Sequence, residues 1–403
     1  MQARAFLVIF LLSCANHGFW LTKVPERHIL PHTRWESEAI AVSLATTGTF
    51  ADPYVLPTGP TAHLPPIPPA INGLIYRVFG LNLTAGYLAW SWIIVISAVL
   101  WGLLPWLAVR LGLPVQAGVT AGLVGALLPR WPGHGEGLAA LAIGLLMAAF
   151  LHRWRTGGIT AGRSILLGMA VGLTFHVQPA VLTVVLGWLV FELRWLRARG
   201  QIRYTALLAL GMVLACLPWG VRNYRAFDAV FFIRSNLGLE LRMGNHPGAA
   251  AAMEVMDRDQ EHLHPRTHEG EARKVQEMGE IAYMRQAGHE ALDWIRNYPA
   301  TFLRLTASRV SHWWLGPLHD LSMTLAFTTL TLLALIGAWR IVPRLDPPQR
   351  AVLLIPLLAY PAVYYLVAFM PRYRQPVDWI FYLLAGAAVW SRVGKPRNGS
   401  GPP

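Results

Sequence analysis

Residues 86–109 read GYLAWSWIIVISAVLWGLLPWLAV, an uninterrupted apolar run closed by Arg110. A helix rises about 1.5 Å per residue, so roughly 20 apolar residues cross the hydrocarbon core of a bilayer. The run therefore reads as a membrane span, and the chain repeats it. Comparable runs lie at 4–22, 115–130, 136–151, 202–221, 318–340, 350–370 and 376–391. Between Arg163 and Glu192 a longer apolar stretch is broken at His176-Val177-Gln178-Pro179 and reads as two short helices meeting at the break. The expected fold is an all-α polytopic membrane protein with about ten transmembrane helices. Composition agrees, since 54% of the residues are apolar and only 14% charged, more apolar surface than one water-soluble core would hide.

Charge orients the spans. The formal net charge of +13 is almost all arginine, with Lys23, Lys274 and Lys395 the only lysines. Arginines cluster in short connections at Arg110, 152–163, 194–203, 340–350 and 392–397, and all of these fall on one side if the N-terminus is cytoplasmic. Residues 1–22 then read as an uncleaved signal anchor, although Leu11-Leu12-Ser13-Cys14 faintly resembles a lipoprotein cleavage box. Both cysteines, Cys14 and Cys216, lie in apolar runs on different helices, which implies no disulfide framework. No soluble basic domain with interleaved aromatics is present, so nucleic acid is not an expected partner and anionic lipid is.

Two long segments remain on the external side. The expected organisation is an N-terminal transmembrane module (1–221) whose first external loop (23–85) carries the candidate site. An external helical segment (222–317) follows the seventh span, and C-terminal transmembrane helices (318–403) complete the chain. Within the first loop, Trp35-Glu36-Ser37-Glu38 opens a helix ending near Gly48, with Trp35, Ala39 and Val42 at helical spacing. A second helix starts at Pro68-Pro69 and carries Ile71, Leu74, Ile75 and Val78. Both are expected to lie along the membrane interface rather than cross it. Two positions on a helix turn through about 200°, so Glu36 and Glu38 point to opposite sides and only one can face a given pocket. His63, held between prolines at the membrane surface, could meet a phosphate, a metal or a structural partner. His262, His264 and His268 invite a metal reading, but their spacing brings no matching carboxylate or cysteine, and a solvated polar loop is the expectation there.

The pattern E-x-x-x-I-A-x-S-L-A-x-x-G-x-F from Glu36, followed by G-P-T-A-x-x-P-P from Gly59, resembles the bacterial glycosyltransferase family 39-like proteins of the GT-C superfamily. That group includes protein mannosyltransferases and lipid A aminoarabinose transferases. Pro218-Trp219-Gly220-Val221-Arg222-Asn223-Tyr224, Arg234-Ser235-Asn236-Leu237-Gly238-Leu239-Glu240-Leu241, Gly244-Asn245-His246-Pro247 and Arg372-Tyr373-Arg374-Gln375-Pro376 extend the resemblance in order along nearly the whole chain. It implies a sugar transferred from a polyprenyl-phosphate donor to an acceptor on the periplasmic or external side of a bacterial inner membrane. Glu36 occupies the position of the essential carboxylate, where better-studied members commonly have aspartate; Glu38 is a possible second carboxylate.

Such a reaction needs a carboxylate to take or orient the acceptor's proton and cations to stabilise the departing lipid phosphate. The resemblance places the Arg372-Tyr373-Arg374 turn opposite the first loop and so implies Arg372 and Arg374, on one side if that turn is extended, as the phosphate ligands ahead of Arg222. Tyr373 and Asn223 are further pocket candidates. Snorkelling at the interface is the other use of such arginines. The resemblance leaves a divalent cation possible and the acceptor unspecified. Two other classes share the topology: a transporter or flippase of a lipid-linked or anionic substrate, and a non-catalytic scaffold of GT-C type. Transport is disfavoured by the near absence of charge within the spans, Glu136 and Glu192 lying at span ends.

Overall fold

A computed structural model describes residues 2–128, 133–156, 159–255 and 264–391. The protein is an all-helical membrane protein in which five helices are long and apolar enough to cross a bilayer. Helix α1 (Gln2–Leu21) leads through a short turn, α2 (Glu26–Ile29), into the first-loop helices α3 (Glu36–Thr47) and α4 (Ile67–Phe79). Then come α5 (Leu83–Arg110), α6 (Val115–Leu127), α7 (His134–Thr156), α8 (Ala161–Phe175), α9 (Val181–Arg197) and α10 (Arg203–Phe227). The segment 222–317 supplies α11 (Leu237–Gly244), α12 (Glu269–Met278), α13 (Glu280–Asn297) and α14 (Pro299–Leu315). The chain closes with α15 (Leu321–Ile341), α16 (Pro347–Ala359) and α17 (Gln375–Trp390).

Each expected apolar run contains a helix among the described residues, but not every one is a full span. Helices α1, α5, α7, α10 and α15 meet the length and hydropathy of a crossing. By contrast α6 and α16 have 13 residues each, α8 15, α9 17 and α17 16, all short of the roughly 20 that an upright crossing requires. The broken helix is where the prolines put it, with α8 ending at Phe175 and α9 starting at Val181. Its freed His176 carbonyl accepts the backbone N–H of Ile67 at 3.1 Å, which ties the start of α4 to the break.

Burial separates central from peripheral helices. In their most apolar windows 56% of α5 and of α7 is buried, against 22% of α1 and α15 and 28% of α10. The outward faces of the latter, such as Leu332, Leu335 and Trp339 on α15, are apolar and exposed, as a lipid-facing surface must be. Close approach between helices relies on missing side chains. At Gly168 of α8 a Cβ would lie 2.0 Å from the Leu208 carbonyl oxygen, and at Gly211 of α10 one would lie 2.2 Å from that of Ile165.

A buried charge cluster marks one end of the bundle. Where α7 and α9 finish and α10 begins, Glu192 accepts from Arg153 Nε at 2.9 Å, Trp154 Nε1 at 3.0 Å and Thr205 Oγ1 at 2.9 Å. Arg155 pairs with Asp346 at the start of α16 on the same side. The start of α7, the break after α8 and the start of α17 all lie at the opposite end, beside the first loop and the segment that carries α11.

Tyr54 of the first loop joins Leu239, Met243, Ala272, Val275, Tyr283 and Met284 of the segment 222–317 in a small separate core. Helix α13 turns Tyr283, Met284, Ala287 and Ala291 inward at helical spacing. Arg242 ties α11 to α12 and α13 by donating to Glu271 at 2.8 Å and to the Tyr283 hydroxyl at 2.6 Å.

Candidate active site

A cavity of about 380 Å³ opens at the end of the bundle that carries the first loop. Glu36, His63, Glu136, Gln178, Arg234, His264, Arg266, Arg372 and Tyr373 all line it, drawn from the first loop, the start of α7, the α8–α9 break, the segment 222–317 and the turn before α17. Helical geometry places the carboxylate. Helix α3 starts at Glu36 and closes on Gly48 at φ 76°, a left-handed cap that glycine adopts without strain. Glu36 faces the cavity, with its side chain 18% exposed. Glu38, on the other side of α3, accepts a hydrogen bond from the Tyr76 hydroxyl of α4. Burial lifts its carboxyl to about 7, against the opposing pull of Tyr76, Asn72 and the His32 backbone.

One oxygen of Glu36 gathers three basic groups. Arg266 Nε lies 3.4 Å from Oε1, His264 Nε2 3.5 Å and His63 Nε2 3.9 Å. Burial alone would raise this carboxyl's pKa, but His63, His264 and Arg266 outweigh it and hold Glu36 well below the usual carboxylate range. His264 responds the other way: burial drives it down to about 4, and the attraction of Glu36 only partly offsets that. At neutral pH the cluster is thus an ionised carboxylate beside a neutral His264 and a guanidinium.

His63 is positioned by a loop that the sequence shows only as proline-stiffened. Residues 50–61 fold back on themselves through Asp52 N to Gly59 O at 3.0 Å and Thr61 N to Phe50 O at 3.0 Å. Asp52 and Gly59 both adopt positive φ at this reversal. The turn places the Tyr54 hydroxyl 3.0 Å from His63 Nδ1, and burial, reinforced by Glu280 and Glu36, holds the Tyr54 pKa well above its ordinary value. Glu280, at the start of α13, accepts from Thr61 Oγ1 at 2.5 Å, Ala62 N at 2.8 Å and Ser235 Oγ at 2.6 Å. The two residues before His63 therefore hang from a carboxylate more than two hundred positions away.

The expected phosphate arginines separate. The turn before α17 is a 3₁₀ helix (Pro371–Arg374), not extended chain, and at about three residues per turn its two arginines cannot share a side. Arg372 reaches the cavity with its side chain 55% exposed and Nε 3.8 Å from Glu136. Arg374 is fully buried, bonded to Asp378 at 2.6 Å and to the Trp313 carbonyl at 3.0 Å, between the rings of Phe327 and Phe381. Arg222 lies outside the cavity lining and braces the first loop by donating to Thr61 O at 2.7 Å and Phe50 O at 2.8 Å. Asn223 is fully buried and donates to Phe231 O at 3.2 Å. Tyr373 lines the cavity and stacks on Tyr364 with ring centroids 4.7 Å apart.

Several lining residues are not among the expected site residues. Arg234 reaches the cavity and forms no ion pair among the described residues. His264 and Arg266 come from a mixed-charge stretch that reads as a solvated loop. His268 instead caps α12, its Nδ1 accepting from Glu271 N at 3.3 Å, and His262 lies outside the described residues. Glu36, His63 and His264 offer ligand atoms all within 4.8 Å of one another, a spacing open to a metal ion.

No family model matches the chain, and no curated protein does. Among solved structures it is similar to the archaeal oligosaccharyltransferase AglB from Archaeoglobus fulgidus, in complex with an inhibitory peptide and a dolichol-phosphate, at 14% identity and a TM-score of 0.47. The likeness covers 95% of this chain and 50% of that one, so the chain spans about half the length of that protein. A likeness this distant fixes neither chemistry nor substrate.

Proposed function

We propose that the protein is a membrane glycosyltransferase of GT-C type that moves a sugar from a polyprenyl-phosphate donor to an acceptor hydroxyl on the external side of the membrane. The observation that carries this reading is an ionised Glu36 facing the same cavity as Arg372 and Arg234. The sequence resemblance supports it independently. The arginine-rich helix connections lie at the far end of the bundle, which supports cytoplasmic termini and an external site.

In the proposed single inverting displacement the acceptor oxygen bonds to the anomeric carbon as the bond from that carbon to the phosphate oxygen breaks. The electron pair leaves with the lipid phosphate, where Arg372 and Arg234 stabilise it. A carboxylate held so far below the usual range keeps a proton poorly. Glu36 accordingly orients the acceptor hydroxyl and polarises its O–H, and the proton passes on to solvent or to the departing phosphate. Arg374, Arg222 and Asn223 act in this reading as supports for the turn and the first loop.

The test is transfer by the purified protein in liposomes from a labelled polyprenyl-phosphate sugar, together with mass spectrometry of lipid that copurifies. Absence of transfer from every such donor, with no lipid-linked sugar bound, removes the reading. Arg234→Ala and Arg372→Ala are each expected to lower kcat/KM about 10- to 100-fold, the weight of one or two charge-assisted hydrogen bonds to phosphate. Arg374→Ala is expected to lower thermal stability instead, because it leaves Asp378 buried without its ion-pair partner.

A further inference from the structure

We propose that the Arg266 guanidinium serves as the built-in counter-cation of Glu36, in the place a divalent metal would take among Glu36, His63 and His264. The inference deepens the transferase reading and rests on it for its kinetic arm alone. Spacing by itself favours a metal, since the three ligand atoms lie within 4.8 Å of one another. The protons on those atoms do not.

The backbone N–H of Arg266 donates to His264 Nδ1 at 3.1 Å. A backbone amide can only donate, so Nδ1 is the bare nitrogen of the neutral ring and Nε2 carries the hydrogen. Nε2 lies 3.5 Å from Glu36 Oε1. For Nε2 to bind a metal, the proton would have to move to Nδ1 and set two N–H groups against each other. His63 is freer, because its Nδ1 partner is a hydroxyl that can donate or accept. One imidazole and one carboxylate make two ligands, fewer than the three or four protein ligands of ordinary catalytic and structural zinc sites.

The position is also already charged. Arg266 Nε lies 3.4 Å from the same Glu36 oxygen, and its guanidinium stands over the Trp35 ring at 4.9 Å. A metal ion on that oxygen would sit against a permanent positive charge. The segment that brings the arginine in is fixed, not incidental. Val55 N donates to Pro265 O at 3.2 Å, and Thr267 N and His268 N both donate to His264 O at 3.0 Å. The arginine therefore aims and compensates Glu36 as a positioning residue.

Two measurements on the full-length protein decide it. Chelator-treated protein is loaded with excess Zn²⁺ or Mn²⁺, desalted and analysed for metal; the expected content is far below one ion per chain. One ion per chain that Glu36→Gln or His264→Ala removes overturns the proposal, whatever the activity. In the transfer assay, wild-type rate is expected to be equal in chelator and in added Mn²⁺. Arg266→Ala should lose about 100-fold in kcat with little change in donor KM, as a misplaced catalytic group does. Arg266→Lys, which keeps the positive charge, should recover part of that loss. Transfer abolished by chelator and restored by metal, or an Arg266→Ala variant that keeps the wild-type kcat, overturns it. Wild-type protein that transfers from no donor defeats the transferase reading, while the metal content still decides this inference.

Discussion

Glu36→Gln is expected to lower sugar transfer by about 10³-fold, within the range that removal of a positioned carboxylate costs, while leaving the protein folded in membranes. Glutamine keeps the length and shape of the side chain and still offers an oxygen to His63, so the cavity wall survives. It loses the negative charge that aligns and polarises an acceptor hydroxyl. Glu36→Asp separates charge from reach. It retains the carboxylate but withdraws it by about 1.5 Å, one carbon–carbon bond, and a displacement of that size is expected to cost around 100-fold. Loss in Gln exceeding loss in Asp identifies the charge as the working feature; full activity in Glu36→Gln removes Glu36 from the chemistry. The pH profile adds a check with a definite sign. Because its neighbours hold the Glu36 carboxyl well below the usual range, the wild-type rate is expected to show no acid limb near the ordinary carboxylate value. Glu38→Gln should leave transfer close to wild type, since that side chain faces Tyr76 and not the cavity.

How much of this was legible in the chain depends on the range of the interaction concerned. Local rules read well. The apolar runs became helices, Pro179 marked the end of a break, Gly48 stopped α3, and the 100° step of a helix separated Glu36 from Glu38. Span length read less well. The runs 115–130 and 376–391 are themselves only 16 residues, short of the roughly 20 that an upright span needs, and their helices have 13 and 16 residues. The turn at Arg372 was misread for a local reason: an extended chain would put Arg372 and Arg374 on one side, whereas Pro371 opens a 3₁₀ turn that divides them between cavity and core. The remaining site residues had no local cue. His264 and Arg266 look like solvent-facing polar residues until the fold brings them more than two hundred positions back onto Glu36. Arg222 shows the reverse case. Its place at a span exit suits a phosphate, but the nearest acceptors are the carbonyls of Phe50 and Thr61, which no reading of the local sequence reveals.

Glu280→Ala is the second large effect, and it acts at a distance from any substrate. Glu280 is 6% exposed and accepts from Thr61, Ala62 and Ser235, joining the first loop to the start of α11 and to α13. Alanine leaves three donors without an acceptor in a buried place. Hydrogen bonds to a charged group contribute roughly 1.5–3 kcal/mol each and an orphaned donor costs about 1–3 kcal/mol, so a loss of at least ~3 kcal/mol is expected. In a chain of this size that corresponds to a fall of the order of 5 °C in the melting midpoint. Transfer should fall as well, because Thr61 and Ala62 set the position of His63 and, through the same loop, of Tyr54. Glu280→Gln is the control that tells anchoring from charge. Its amide keeps one carbonyl acceptor but turns an NH₂ toward the other donors, so it should fall between wild type and alanine in stability. If the alanine variant melts with wild-type protein and transfers at the wild-type rate, the first loop is held by its prolines and by Arg222, and the carboxylate of α13 is incidental to the site.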